Sequence, residues 1–301
     1  MQHTLKQSYT FSGKGLHTGA PVTMTIRPAE AGSGIVFHRT DIGPEAIIHP
    51  LATNVTTTDR GTTISENGAS VSTIEHLMSA AAGLGIDNML VELDAPEVPI
   101  LDGSALPYVR AISADGIEEQ TAARRYLSIR KPFHWEDAAT GAAIDITPTD
   151  RCEMSLTVDF NSKVLGVQNF RYSSDTDYAT QIAPCRTFCF LHELEFLASR
   201  GLIKGGDVDN AIVIVEHPVQ PDTLERLRSL FGVGELQVNQ GYLNNLKLHF
   251  PNEIVRHKML DMIGDFALLG APLKGTIIAS KTGHRINTAV CKSLLESDLL
   301  Y

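Results

Sequence analysis

The sequence has few cysteines and no pairing pattern among them: Cys152, Cys185, Cys189 and Cys291 show no C-x-x-C spacing. In a chain of this size they read as reduced core thiols of a cytosolic protein, and a structural zinc built on cysteine is disfavoured. An excess of positive charge is also missing. Lys and Arg number 25 against 35 Asp and Glu, a formal charge of -10, which argues against nucleic acid or an anionic membrane as the main partner. An anionic small molecule would need local basic residues. No apolar run approaches the length that spans a bilayer, the N-terminal residues 1–8 lack the apolar stretch of a signal peptide, and there is no low-complexity segment. A soluble cytoplasmic protein is expected, and the end just past Cys291-Lys292-Ser293 leaves open whether the natural chain continues. With 301 residues and 43% hydrophobic content there is apolar material for one large or two moderate cores, and the length favours two domains.

What is present is the stretch Glu253-Ile254-Val255-Arg256-His257-Lys258-Met259-Leu260-Asp261-Met262-Ile263-Gly264-Asp265. As one helix it projects His257, Asp261 and Asp265 as successive i, i+4 neighbours along a stripe. An imidazole nitrogen and a carboxylate oxygen at that spacing can close on a single Zn²⁺; hydrolysis then needs a third protein ligand and an open fourth position. Helices also carry such pairs by chance and as surface ion pairs, so the spacing leaves both readings open. A partner lies in Ser72-Thr73-Ile74-Glu75-His76-Leu77-Met78, where Ser72 three residues before Glu75 predicts a capping box, with His76 in the first turns of a small-residue helix. That histidine can equally be a hydrogen-bonded core residue. Burying Glu75 and His76 without partners costs several kcal/mol, and a metal with its bound water would supply those partners.

Short strands are predicted over 22–27 and 34–39, with a Thr-rich stretch over 53–64, a helix over 73–84, a buried strand over 88–93 and a helix from 102 to 112. The charged residues 117–125 resemble a linker. The pattern then restarts, with strands near 126–129, 141–146 and 152–160, a helix around 192–199, a strand over 211–215 and a closing helix over 253–269. Ile74-Glu75-His76-Leu77-Met78 and Val255-Arg256-His257-Lys258-Met259 each place a histidine near the start of a helix that ends in Gly-rich sequence. Either these are the marks of a diverged internal repeat of two α+β domains, their histidine helices face to face, or two short helices coincide.

With both segments in view, the sequence resembles the zinc-dependent UDP-3-O-acyl-N-acetylglucosamine deacetylase family of lipid A synthesis. The resemblance is carried in order by Gly13-Lys14-Gly15-Leu16-His17-Thr18-Gly19, Thr73-Ile74-Glu75-His76-Leu77, Gly83-Leu84-Gly85-Ile86-Asp87-Asn88, Asp102-Gly103-Ser104-Ala105, Arg186-Thr187-Phe188, Arg200-Gly201-Leu202, Val255-Arg256-His257-Lys258-Met259-Leu260-Asp261 and Lys281-Thr282-Gly283-His284. It implies an α+β fold of two similarly built two-layer sandwich domains, 1–122 and 123–301, each with a small insert, and an active site between them. It implies His76, His257 and Asp261 as ligands of one Zn²⁺ per chain, with Fe²⁺ as the alternative metal, and Glu75 as general base. Thr187 matches a hydroxyl holding the oxyanion, His284 the acid that protonates the leaving amine, Asp265 the residue orienting it, and Lys258 an added positive charge. Outside this context Thr187 would be a loop hydroxyl, His284 a turn residue after Gly283, and Asp265 and Lys258 solvated helix charges.

The resemblance further assigns residues 183–215 to an insert forming a passage for an acyl chain, with Phe188, Leu191, Leu194, Leu197 and Leu202 supplying apolar surface at near-helical spacing. Core packing is the alternative for that stripe. Lys281 and Phe160 match residues that approach the diphosphate and the uracil, and Leu16 and His17 a loop lining the site. The sequence departs from the pattern at Gly61, where many members have cysteine, and at Glu193, which replaces an Asp of some members. Residues 216–252 form a long segment, and no basic residue stands near Gly141. The expected function is hydrolysis of the N-acetyl group of a UDP-linked 3-O-acyl-N-acetylglucosamine by a monomer, with no nucleic-acid or integral-membrane partner. The rivals are a zinc amidohydrolase for another acylated substrate and a silent nucleotide-sugar binding module.

Overall fold

The computed structural model describes residues 1–194, 210–232, 234–244 and 247–301. Two sheets dominate it, and they are built alike. In the first half the strands Tyr9–Lys14 and Pro21–Pro28 form a hairpin, Met89–Leu93 pairs with the second of them, and Ile35–Arg39 and Ile47–Ile48 continue the sheet on the other side. In the second half Phe133–Asp137 and Ala142–Thr147 form the hairpin, Leu273–Ser280 takes the centre, and Cys152–Asp159 and Val167–Ser173 follow. Numbered within its own half, the five strands named for each sheet run in the order 1-2-5-3-4, with strand 5 parallel to strand 3 and the other neighbours antiparallel; in the second sheet the short strand Leu127–Ser128 also pairs parallel with strand 5. A helix precedes each central strand, Glu75–Leu84 and Glu253–Phe266, and another follows, Leu106–Asp115 and His284–Leu295. Shared order and direction make an internal repeat the reading that fits; chance agreement of two histidines does not explain a matching topology.

Alternation sets the layers. Val22, Met24 and Ile26, Met89, Val91 and Leu93, Ala142, Ile144 and Ile146, and Leu273, Ile277 and Ala279 are buried on one face of their strands. Each sheet therefore presents one apolar face to helices, a two-layer arrangement. One hydrophobic core runs through both halves, joining Leu77, Met78 and Ala81 of the first histidine helix to Met259, Met262, Ile263 and Phe266 of the second. The two histidine helices pack directly on each other. Gly264 permits it: a Cβ there would sit 2.9 Å from the carbonyl carbon of Glu75 and 3.1 Å from its Cα.

Each half carries an insert between its fourth strand and its histidine helix. In the first this is the small sheet Val55–Thr57, Thr63–Glu66 and Ala69–Val71; in the second, Phe188–Phe190 pairs with Ile212–Ile214, then Tyr242–Leu243 and Val238–Asn239. The second insert thus runs on past residue 215 and takes in part of the long 216–252 segment, including the helix Pro221–Phe231.

Several expectations need correction. The supposed linker over 117–125 begins as a strand, Ile117–Glu119, paired antiparallel with His3–Leu5, so its first residues belong to the first half; backbone pairing at an edge leaves little apolar signature. The predicted closing helix stops at Phe266, continues as a 3₁₀ turn to Leu269 and ends on Gly270 at φ 79°. It closes nothing, because the central strand Leu273–Ser280 and the helix His284–Leu295 follow. The helix expected from 102 starts at Leu106, with Pro107 in its first turn. Phe188 lies on a strand, so helical spacing in the insert cannot include it. Residues 195–199 of the helix expected over 192–199, Leu197 among them, and Leu202 lie outside the described residues.

Candidate metal centre and active site

Glu75 and His76 open their helix, whose N-cap is Ile74 and carries no side-chain cap. The expected capping box does not form. Thr73 turns at φ 58°, the Ser72 hydroxyl accepts from Thr63 at 3.0 Å, and the Glu75 carboxylate turns to the backbone N–H of Thr62 at 2.9 Å. Both residues are buried, as are His257, Asp261 and Asp265 on the partner helix.

One ligand atom from each of His76, His257 and Asp261 lies within 4.8 Å of the others. His257 Nε2 is 3.4 Å and His76 Nε2 3.8 Å from Asp261 Oδ1. Bonds of about 2.0–2.2 Å in a tetrahedron put neighbouring ligand atoms roughly 3.3–3.6 Å apart, and the two imidazole nitrogens stand near that spacing from Asp261 Oδ1. His257 Nδ1 lies 3.0 Å from the carbonyl oxygen of Cys185; since a carbonyl only accepts, Nδ1 carries the proton and Nε2 turns its lone pair to the cluster. Asp261 Oδ2 accepts from Lys258 Nζ at 2.7 Å, whereas Oδ1 is buried with no hydrogen-bond partner. A bare buried carboxylate oxygen facing two imidazoles is costly in itself and is satisfied by a divalent cation. The donor set, two nitrogens and one oxygen, suits Zn²⁺.

Charge follows the same logic. Burial pushes the His76 ring down to about 3, helped by the adjoining His257, and burial lowers His257 as well. Both rings are therefore neutral, as ligands must be. Burial alone would raise Asp261, but Lys258 and the surrounding imidazoles hold it well below the usual carboxylate range. Lys258 stays charged: burial opposes this, and Asp261 overcomes it.

Beside the cluster stand two buried titratable groups, Glu75 and His284. Burial pushes Glu75 up to about 7, against the opposing pull of His284 and the Thr62 N–H. His284 is raised to about 9: burial would lower it, and Asp265, Asp261 and Glu75 outweigh burial. Its Nδ1 donates to Asp265 Oδ2 at 2.9 Å, leaving Nε2 4.0 Å from Glu75 Oε1 and 3.8 Å from Asp261 Oδ2. His284 is the first residue of a helix, not a turn residue, and Asp265 is wholly buried, not a solvated helix charge.

The remaining expected residues sit around this centre. Thr187 is half-buried, its N–H donating to the Gly103 carbonyl, and its neighbour Arg186 is anchored by the buried Glu253, which accepts from the Arg186 backbone and guanidinium. Phe188 meets His257 edge-on at 6.2 Å and Phe160 at 5.4 Å, giving an aromatic path from the ligand helix to the partly exposed Phe160. Leu191 and Leu194 pack into the insert's own core with Val213, Val215 and Leu243. Lys281 is half-exposed and pairs with Asp159 at 3.3 Å. Leu16 and His17 lie on a loop tied down by Glu97, which accepts from the N–H groups of His17 and Thr18 and the hydroxyls of Thr18 and Thr73.

Thr62, Glu97, Glu253, Asn287 and Gly264 were not anticipated. Gly264 had a signal, since glycine inside an apolar helix often marks a close approach; the others are polar residues with no spacing pattern to expose them.

The family model described as LpxC: UDP-3-O-acyl N-acetylglycosamine deacetylase matches residues 2–228 and 236–296. The chain belongs to that family. It is 41% identical over 301 residues to a UDP-3-O-acyl-N-acetylglucosamine deacetylase of Myxococcus xanthus, covering all of this chain (100%) and 88% of that protein. A deacetylase of the same description from Saccharophagus degradans is 41% identical over 298 residues, 98% of this chain and 89% of its own length. This chain is also 43% identical over 294 residues, 97% of its length, to a bifunctional enzyme LpxC/FabZ of Bacteroides thetaiotaomicron. The chain spans 64% of the length of that bifunctional relative. Among the described residues no helix is long and apolar enough to cross a membrane.

Proposed function

We propose that the chain hydrolyses the N-acetyl group of a UDP-3-O-acyl-N-acetylglucosamine to a free amine and acetate, the committed step of lipid A synthesis, in the cytoplasm of a Gram-negative bacterium. One Zn²⁺ per chain, with Fe²⁺ as the alternative, is held by His76, His257 and Asp261 of a monomer whose two domains meet near residue 122. The observation that carries the reading is the bare buried Oδ1 of Asp261 between two imidazoles, with Glu75 and His284 4.0 Å apart beside it. When bound, the metal polarises the amide carbonyl and makes water acidic enough to attack near neutral pH.

The chain's own residues do the rest. Glu75, raised by burial and fixed by the Thr62 N–H, accepts the proton of the attacking water. The Thr187 hydroxyl supplies a donor to the oxygen that gains charge, a contribution of about 3–4 kcal/mol when preorganised. His284, protonated because Asp265 and Asp261 favour its cation, gives a proton to the departing nitrogen. Lys258 balances Asp261 and keeps its carboxylate fixed. Phe188 lines the acyl passage, Leu191 backs it from the core of the insert, Phe160 and Lys281 receive the nucleotide, and Leu16 and His17 close the site.

Turnover of the 3-O-acylated UDP-sugar and its unacylated counterpart is the test. Acetate release that falls sharply without the acyl chain is the expected result. Equal rates on both would reject the acyl-specific reading, and no acetate from either would reject deacetylation of this substrate class.

A further inference from the structure

Thr62 lies within hydrogen-bond reach of both proposed proton-transfer groups, Glu75 and His284, and of Asp265. It stands at the tip of the Val55–Thr57/Thr63–Glu66 hairpin, where the register shifts and Arg60 turns at φ 64°. From there it reaches across to the helices of the other half and is completely buried. Its backbone N–H donates to Glu75 Oε2 at 2.9 Å. Its hydroxyl lies 2.7 Å from Asp265 Oδ1, to which it donates, and 3.3 Å from His284 Nδ1, toward which it turns a lone pair. Asp265 uses its other oxygen for His284 Nδ1 and Asn287 Nδ2, each at 2.9 Å. The approach to Glu75 depends on Gly61: a Cβ there would meet Glu75 Oε1 at 2.9 Å.

We propose that Thr62 is a positioning residue that sets the base and the acid relative to each other across the two halves, its amide fixing Glu75 and its hydroxyl fixing Asp265 and through it the His284 ring. The inference rests on the deacetylase reading above. An isosteric valine keeps the amide and removes the hydroxyl, so it separates the two tasks: Glu75 keeps its donor while Asp265 Oδ1 loses its own. Serine restores the hydroxyl.

The test measures kcat and KM for acetate release by Thr62→Val and Thr62→Ser, with zinc content per chain and melting temperature recorded for both. Thr62→Val is expected to lower kcat by about 10–100-fold, the range for loss of a partner that orients a site residue, with KM and zinc content unchanged. Thr62→Ser should recover most of that loss. In an Asp265→Asn background the valine should cost little further, because the hydroxyl acts through Asp265. An active wild type with Thr62→Val at full kcat, or serine falling as far as valine, overturns the inference and leaves the deacetylase reading intact. An inactive wild type removes both. If the valine variant does not fold, Thr62→Ala is read the same way.

Discussion

The crossing of the two histidine helices has so little clearance that one methyl group tests it. In Gly264→Ala the new Cβ would stand 2.9 Å from the carbonyl carbon of Glu75 and inside contact distance of its oxygen. Carbon atoms rest at about 3.5–4.0 Å, so the helices must part by roughly 1 Å. The obstacle is backbone on both sides, which leaves no side chain to swing away. His76 follows Glu75 directly, while His257 and Asp261 ride on the other helix, so the opening is spent across the ligand cluster. Metal sites tolerate about 0.2 Å in ligand distance. Overpacking of this kind costs about 1–3 kcal/mol of stability, and a disproportionate loss of metal is expected in addition. The assay is zinc retention against a graded chelator, compared with melting temperature and acetate release. A variant that melts lower and releases zinc far more readily supports the geometry; one that retains zinc and activity like the wild type refutes the argument that Gly264 sets the spacing.

Two further outcomes follow from named groups. The rate should be bell-shaped in pH, rising as Glu75, near about 7, loses its proton and falling as His284, near about 9, loses its own. A bound cation lowers both limbs, and His284→Ala should abolish the alkaline one; a steady-state profile that keeps that limb contradicts the role. Glu97 is held below the ordinary range of a glutamate: burial alone would raise it, and its four donors outweigh burial. A carboxylate lowered in the folded state gives stability that is present above the unfolded value and is lost as pH falls through the folded one. Chemical denaturation between pH 7 and 3 should show this slope diminished in Glu97→Gln, and an identical slope would mean that Glu97 does not anchor the His17 loop.

The candidate cluster was partly legible in local spacing, since His257 and Asp261 fall four apart on one helix and a second histidine follows a glutamate at another helix start; it was the family resemblance that joined the three into one ligand set. The repeat was only half legible. Met89–Leu93 and Ala142–Thr147 alternate cleanly, but the edge strands Tyr9–Lys14, Phe133–Asp137 and Val167–Ser173 are half-exposed and mostly polar, so they carry weak signals. The central strand Leu273–Ser280 was hidden by Gly275 and by its exposed Ile278, although it is what makes the two halves correspond. Thr62 and Glu97 act through hydrogen bonds to residues far along the chain, which no local pattern encodes. The capping box failed for a related reason: local sequence offers Ser72 as a cap, while Thr62 and Thr63 take Glu75 and Ser72 as partners from across the insert sheet.

The most direct measurement is metal content against acetate release in one titration. Chelator-stripped protein should be inactive on the acylated UDP-sugar, and zinc should restore activity linearly up to one ion per chain, with His76→Ala, His257→Ala and Asp261→Ala failing to bind it. Full activity in metal-free protein, or stoichiometric zinc in those three variants, would contradict the account.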